Sequence, residues 1–240
     1  MRAVRLYEDG LRLEEFPQPM PRPGDLLVRV QAAAITRDEL TWPVDRLPAI
    51  PSYELSGVTA SGDEVFALTP FDRDGVLAEY AVVPETVLAP KPAQLSHAEA
   101  AALPMPGLTA WQGLVLHGGL RAGERVVITG AAGGVGHLAV QIAERLGASV
   151  VAEGEPSNLL FDTAGRTEGE AARKVTIAAE APGFKYFIVE PDRDQLVELT
   201  KLGVRPEVDS VFPFADYEVA FARLEERGKR GKVVVDVAGL

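Results

Sequence analysis

Cysteine is absent from the 240 residues, which excludes disulfides, thiolate nucleophiles and cysteine-ligated zinc. Histidine is scarce, with three in the chain. Basic residues are outnumbered, 24 Lys and Arg against 35 Asp and Glu, giving a formal net charge of −11. That balance argues against nucleic acid or an anionic membrane as the main partner, since both favour a basic face. No apolar run approaches the length of a membrane span. The charged opening Met1–Gly10 lacks the apolar core of a secretory signal, so the expectation is a cytoplasmic protein. Internal repeats and low-complexity segments are also missing. What remains is ordinary globular composition, 47% hydrophobic and 25% charged, with length for one large domain or two small ones.

The strongest local signal is Arg125-Val-Val-Ile-Thr-Gly-Ala-Ala-Gly-Gly-Val-Gly-His137. A β-branched run (Val126, Val127, Ile128) enters a glycine cluster, and the cluster opens an amphipathic helix. In that strand–turn–helix setting, glycines let the backbone approach an anion, and free N–H groups at the helix start stabilise it. Gly130, Ala131, Gly133, Gly134, Val135 and Gly136 are therefore the candidate pyrophosphate cradle. The alternative is a tight turn that uses glycine for backbone reasons alone.

Residues 1–92 read as short strands separated by turns, as in a small barrel or folded sheet. Ala3–Leu6 and Leu11–Leu13 flank a Glu8-Asp9-Gly10 turn, and Leu26–Ala32, Glu64–Leu68 and Ala78–Val83 are further strands. Ser96-His97-Ala98-Glu99 is a capping box opening a short helix that Pro104 and Pro106 are expected to terminate. A second helix is expected at 108–118. The pattern then becomes β/α: strand 126–129, helix 135–146, and strands 149–152, 159–162, 174–178 and 185–189. Helices at 192–202 and 216–227 and a strand at 232–237 follow, and the change of period near 105 marks a domain boundary.

With Pro51-Ser-Tyr-Glu54-Leu-Ser-Gly57, Gly62-Asp-Glu-Val65, Ala101-Ala-Leu-Pro104, Leu108-Thr-Ala-Trp111, the glycine turn, Phe161-Asp-Thr-Ala-Gly165 and Gly231-Lys-Val-Val-Val235 in order, the chain resembles the medium-chain dehydrogenase/reductase superfamily. More narrowly it is similar to the zinc-free quinone oxidoreductase branch. The resemblance implies an α/β protein: a GroES-like β-rich catalytic lobe from 1–104 and 213–240, and a truncated Rossmann-like parallel-sheet lobe from 105–212, with the nicotinamide in the cleft. It implies NADPH or NADH as cofactor, no metal, a small quinone or enone substrate, and a homodimer paired through the apolar run Phe184–Val189. Thr36 and Thr109 become candidate catalytic residues; relatives carry an Asn in the loop where this chain has Ile35-Thr36-Arg37-Asp38, with Thr36 or Asp38 as its substitute in hydrogen bonding. Ala179, Ile188 and Lys232 become candidate nicotinamide-side contacts. Glu54 matches a glutamate near the metal or nicotinamide, the alternative being a buried carboxylate paired with Arg or Lys. Trp42, Tyr53 and Phe71 are candidates to line a pocket for a planar substrate, the alternative being plain core.

The chain departs from the family after 149–152. Relatives continue with a helix, an edge strand and a further helix, whereas here Glu153–Asn158 leads directly to the next strand. That link spans at most roughly 20 Å, and a parallel crossover normally takes about a dozen residues or more. The expectation is either a shortened, displaced 149–152 strand or an antiparallel partner at 159–161, with some distortion of the doubly wound sheet. Glu153 and Glu155 occupy the adenosine-ribose end, where acidic side chains favour a free 2′-hydroxyl and so NADH. Two functions follow: a zinc-independent NAD(P)H-dependent reductase of a quinone, enone or related activated carbonyl, or a degenerate relative that has lost its cofactor and serves as a binding or scaffold protein.

Overall fold

The computed structural model describes residues 1–43, 47–166 and 169–239. It begins with β1 (Arg2–Tyr7), β2 (Gly10–Glu15), β3 (Asp25–Ile35), β4 (Glu54–Thr59), β5 (Glu64–Leu68), β6 (Tyr80–Pro84) and β7 (Ala89–Pro90). Helices α1 (His97–Ala101) and α2 (Pro104–Trp111) lead to β8 (Arg125–Thr129), α3 (Gly136–Arg145), β9 (Ser149–Val151), β10 (Ser157–Asp162), β11 (Ala171–Thr176) and β12 (Lys185–Tyr186). The chain closes with α4 (Arg193–Leu202), β13 (Val208–Pro213), α5 (Tyr217–Glu225) and β14 (Lys232–Asp236). One unit comprises Met1–Pro104, Pro191–Val197 and Glu207–Leu240, the other Met105–Glu190 and Glu198–Pro206. The carboxy-terminal part of the first unit thus starts ahead of 213, because β13 pairs in parallel with β14.

The first unit is organised on β3. One edge of β3 pairs with β6 through its first half (Leu27↔Val82) and with β14 through its second (Ala34↔Val234). The other edge carries β4, with Val28 opposite Thr59 and Ala34 opposite Glu54, and the register shifts between Val30 and Ala32. A bulge of that kind bends a strand and lets it serve two partners. Beyond it the side chains are small. Ala32 and Ala34 meet Ala101, Ala102 and Val234, so that α1 lies close against the sheet. Ala33 and Ile35 turn to the larger core with Val28, Val235 and Phe221. The capping box forms as read from sequence: Glu99 N–H donates to Ser96 Oγ at 3.2 Å and Ser96 N–H to the Glu99 carboxylate at 2.8 Å. Strand β4 carries no sequence alternation because nearly every position is buried.

The second unit holds a five-stranded, wholly parallel sheet in the order β12-β11-β10-β8-β9. The antiparallel arrangement at 159–161 does not occur: Leu159 pairs with Val126 in parallel on one edge of β8, and Val151 with Val127 on the other. The link 152–156 suffices because β9 is only three residues long. It leaves the sheet at the level of Val127 and re-enters close to the level of Val126, so little return along the strand is needed. A cavity of about 610 Å³ opens beside this link, with Val127, Leu160 and Lys174 among the residues lining it.

Two local expectations are corrected. Pro104 and Pro106 open α2 rather than ending the helix before it, since first-turn positions require no N–H donor. After α2, Gln112–His117 is a π-helical turn in which Gly118 N–H bonds the Gly113 carbonyl at 2.9 Å. A Cβ on Gly113 would lie 2.4 Å from the Phe161 ring, so any side chain there would displace that buried ring. The expected strand 185–189 pairs only over Lys185–Tyr186. Phe187 turns onto the His117 ring at 4.4 Å, and the backbone of Glu190 exchanges hydrogen bonds with the Gln112 side chain at 2.8 and 3.0 Å.

Candidate active site

The glycine turn connects β8 to α3 at the carboxyl end of the parallel sheet. Gly130 has φ +67°, and a Cβ on Gly136 would lie 2.1 Å from the Gly130 carbonyl oxygen. No other residue fits position 136 without moving backbone. Gly136 is buried, Gly130, Gly134 and Val135 half-buried, and Ala131 and Gly133 exposed, so part of the turn faces solvent. Its floor is fixed by Asp162 at the end of β10. That carboxylate accepts from Thr129 Oγ1 at 2.5 Å, Thr176 Oγ1 at 2.9 Å, and the N–H groups of Ala164 and Arg166 at 3.1 and 2.9 Å. Burial alone pushes the Asp162 carboxyl up, and these hydrogen bonds, Thr129 foremost, bring it below its ordinary value. Thr163 Oγ1 donates to the Thr129 carbonyl at 2.6 Å. His137 Nδ1 pairs with the Gly133 carbonyl at 2.9 Å.

Strand register builds a second constellation in the first unit. Ile35 opposes Val233 and Ala34 opposes Glu54, which brings Thr36, Lys232 and Glu54 together at one end of β3. Lys232 Nζ donates to Thr36 Oγ1 at 2.5 Å and forms an ion pair with Glu54, while Thr36 Oγ1 donates to Glu54 Oε1 at 3.4 Å. Glu54 is fully buried, the carboxylate neutralised by a basic residue that one reading of the sequence allowed. Sequence reasoning missed the fourth member. Glu39, in the turn Glu39–Thr41, is 5% exposed and accepts from Thr36 N–H at 2.9 Å through Oε2. Its Oε1 is buried without a hydrogen-bond partner. Burial, opposed by Lys232 and by Thr36 N–H, pushes Glu39 up to about 8, with Glu54 adding to the rise. Asp38 (φ 65°) and Ser52 (φ 66°) hold left-handed conformations beside the cluster. Such strain persists where surrounding structure over-determines it.

Trp42, Tyr53 and Phe71 do assemble, with ring centroids 6.2, 5.9 and 5.0 Å apart for Trp42–Tyr53, Trp42–Phe71 and Tyr53–Phe71. Burial raises the Tyr53 phenol, and the charges of Glu39 and Asp74 add to it. The remaining candidates belong to the second unit. Thr109 is buried in α2 and donates to the Met105 carbonyl at 2.6 Å, a within-helix bond. Glu155 accepts from the Ala152 N–H at 3.3 Å and pairs with Arg125 of β8 at 2.5 Å, and Glu153 pairs with Arg166 at 3.1 Å. Ala179 is exposed after β11, and Ile188 is 67% exposed.

Zinc does not fit these residues. Cysteine is missing, His97 is engaged by Ser56 and Glu64, and among the described residues no group of three or more His, Cys, Asp or Glu could hold a metal. The Gly130–Gly136 turn is consistent with a dinucleotide, since it joins a parallel strand to a helix start and leaves Ala131 and Gly133 exposed.

A parallel sheet whose first strand passes through a glycine turn into a helix, in one chain with a β-rich, largely antiparallel unit, defines the class of two-lobed dehydrogenases and reductases. Residues 134–235 match a family model described as zinc-binding dehydrogenase. The chain is 31% identical to a 2-methylene-furan-3-one reductase of Solanum lycopersicum, over 95% of this chain and 76% of that protein. It is also 31% identical, with the same coverage, to a chloroplastic NADPH-dependent alkenal/one oxidoreductase of Arabidopsis thaliana. Among solved structures, the quinone oxidoreductase of Thermus thermophilus, also solved with NADPH, superposes with TM-score 0.83 at 29% identity over 99% of this chain and 100% of that one. The chain belongs to the medium-chain dehydrogenase/reductase superfamily, close to its quinone oxidoreductase branch, and shows no zinc site among the described residues. The alignment to the tomato reductase runs over 297 positions, more than this chain possesses, so that relative carries segments absent here.

Proposed function

We propose that this protein is a zinc-independent NAD(P)H-dependent reductase of a quinone, enone or related activated carbonyl compound. The observation that carries the reading is the glycine turn at 130–136, seated between β8 and α3 of a parallel sheet and braced by Asp162. When bound there, the dinucleotide supplies a hydride to an electrophilic substrate carbon. The backbone of Gly130, Ala131, Gly133, Gly134, Val135 and Gly136 would hold the pyrophosphate, with Ala179 and Ile188 toward the nicotinamide. Thr109 would offer its acceptor side to the same end. Trp42, Tyr53 and Phe71 would stack against a planar substrate, and Thr36 would bond its oxygen. Glu153 and Glu155, in the link after β9, would favour NADH over NADPH once released from Arg166 and Arg125.

Titrating the protein with NADH and NADPH, followed by turnover with a simple benzoquinone, tests this reading. Binding of neither nucleotide at millimolar concentration would overturn it. The short link 152–156 favours a second reading, a relative that has lost its cofactor and acts as a binding or scaffold protein. That reading predicts a silent titration from a folded protein. On either reading we place a homodimer contact at the β12 edge, where Tyr186 and Ile188 are exposed.

A further inference from the structure

We infer that Thr36, Lys232, Glu54 and Glu39 form a proton-delivery relay, in which the Thr36 hydroxyl protonates the reduced substrate, Lys232 replaces that proton and Glu39 holds the reserve. This rests on the reductase reading, because the proton is needed only after a substrate carbon has been reduced and its oxygen carries negative charge.

Geometry assigns the roles. Thr36 is half-buried, whereas Lys232, Glu54 and Glu39 are 8%, 0% and 5% exposed, so Thr36 is the member of the four that substrate can reach. Thr36 also touches each of the others: its N–H donates to Glu39, its hydroxyl accepts from Lys232, and the same hydroxyl donates to Glu54. The groups facing Glu39 are Lys232 from β14, Glu54 from β4, the Ser52 N–H and Tyr53. A single lysine therefore serves two buried carboxyl groups, and one of them keeps a proton. Glu54 has the ion pair; Glu39 has an oxygen with no partner, where a charge costs far more than a neutral carboxyl.

The balance closes. At rest the cluster holds Lys232 as ammonium, Glu54 as carboxylate and Glu39 as carboxylic acid, for no net charge. The Thr36 O–H bond breaks as the substrate O–H bond forms. Lys232 returns a proton to Thr36 and is itself restored by Glu39, which leaves the cluster at −1 until water reprotonates Glu39.

The test compares wild type with Glu39→Gln, using NADH or NADPH and a benzoquinone. Wild-type kcat should fall as pH rises past about 8. Glu39→Gln should lose that limb and turn over roughly tenfold more slowly at unchanged KM, and Thr36→Val about a hundredfold more slowly, with Thr36→Ser restoring most of the rate. Independently, infrared difference spectra of the nucleotide-free wild type against Glu39→Gln should show a protonated carboxyl band at pH 6 that is gone at pH 10. Turnover whose pH profile ignores Glu39→Gln, or the absence of that band at pH 6, overturns the relay while leaving the reductase standing. No turnover in wild type with the band present overturns the reductase reading and the relay's catalytic role together.

Discussion

Glu39 is a residue whose folded environment opposes its own charge, and the consequence for stability can be signed. Its folded value of about 8 lies above the ordinary 4.5, so between those pH values the native state binds more protons than the unfolded chain. Stability contributed by this group is therefore intact at pH 4 and is lost as pH rises toward 8, at up to roughly 1.4 kcal/mol per pH unit. Glu39→Gln should be more stable than wild type at pH 7.5, with the difference disappearing near pH 4, as read by urea unfolding at several pH values. Lys232→Met removes the counter-charge of fully buried Glu54 and should cost roughly 3 kcal/mol at pH 7 in the same measurement. Gly136→Ala places a methyl 2.1 Å from the Gly130 carbonyl. The turn must shift, and nucleotide affinity should fall at least tenfold by calorimetric titration, while far-ultraviolet circular dichroism stays native.

At the scale of elements, much was legible from local chemistry. The capping box at Ser96–Glu99 formed as read, and Ser96→Ala should lower stability by about 1 kcal/mol in thermal unfolding, since the Glu99 N–H loses the hydroxyl that accepts it. The glycine turn, β5 and α3 followed from composition and period alone. Strand β4 did not, because a strand buried at nearly every position shows no alternation, and β13 did not because its half-buried pattern resembles a loop. Pro104 was misleading for a reason of position: the same ring that ends a helix internally is tolerated at its opening. The link 152–156 looked too short only while β9 was given its full length.

At the scale of the whole molecule, the β12 edge is the expected contact between two copies. Light scattering across a concentration series should give about 51 kDa, twice the 25.7 kDa chain, and Ile188→Lys should shift it to monomer. The sequence by itself determined the features made by neighbouring residues: a strand entering a glycine turn, a capped helix, the exclusion of cysteine-bound metal. Thr36 could be singled out by its place in the motif order, but its partners could not, because Lys232 stands 196 positions away and meets it only through the pairing of β14 with β3. Glu39 reads in sequence as an ordinary loop carboxylate between Asp38 and Leu40. Tertiary structure decided that it is buried, that one oxygen goes unpartnered, and that a single lysine answers to two carboxyl groups. Short-range sterics and hydrogen bonds are written in adjacent residues, whereas burial and long-range register are set by which strands the whole core brings side by side.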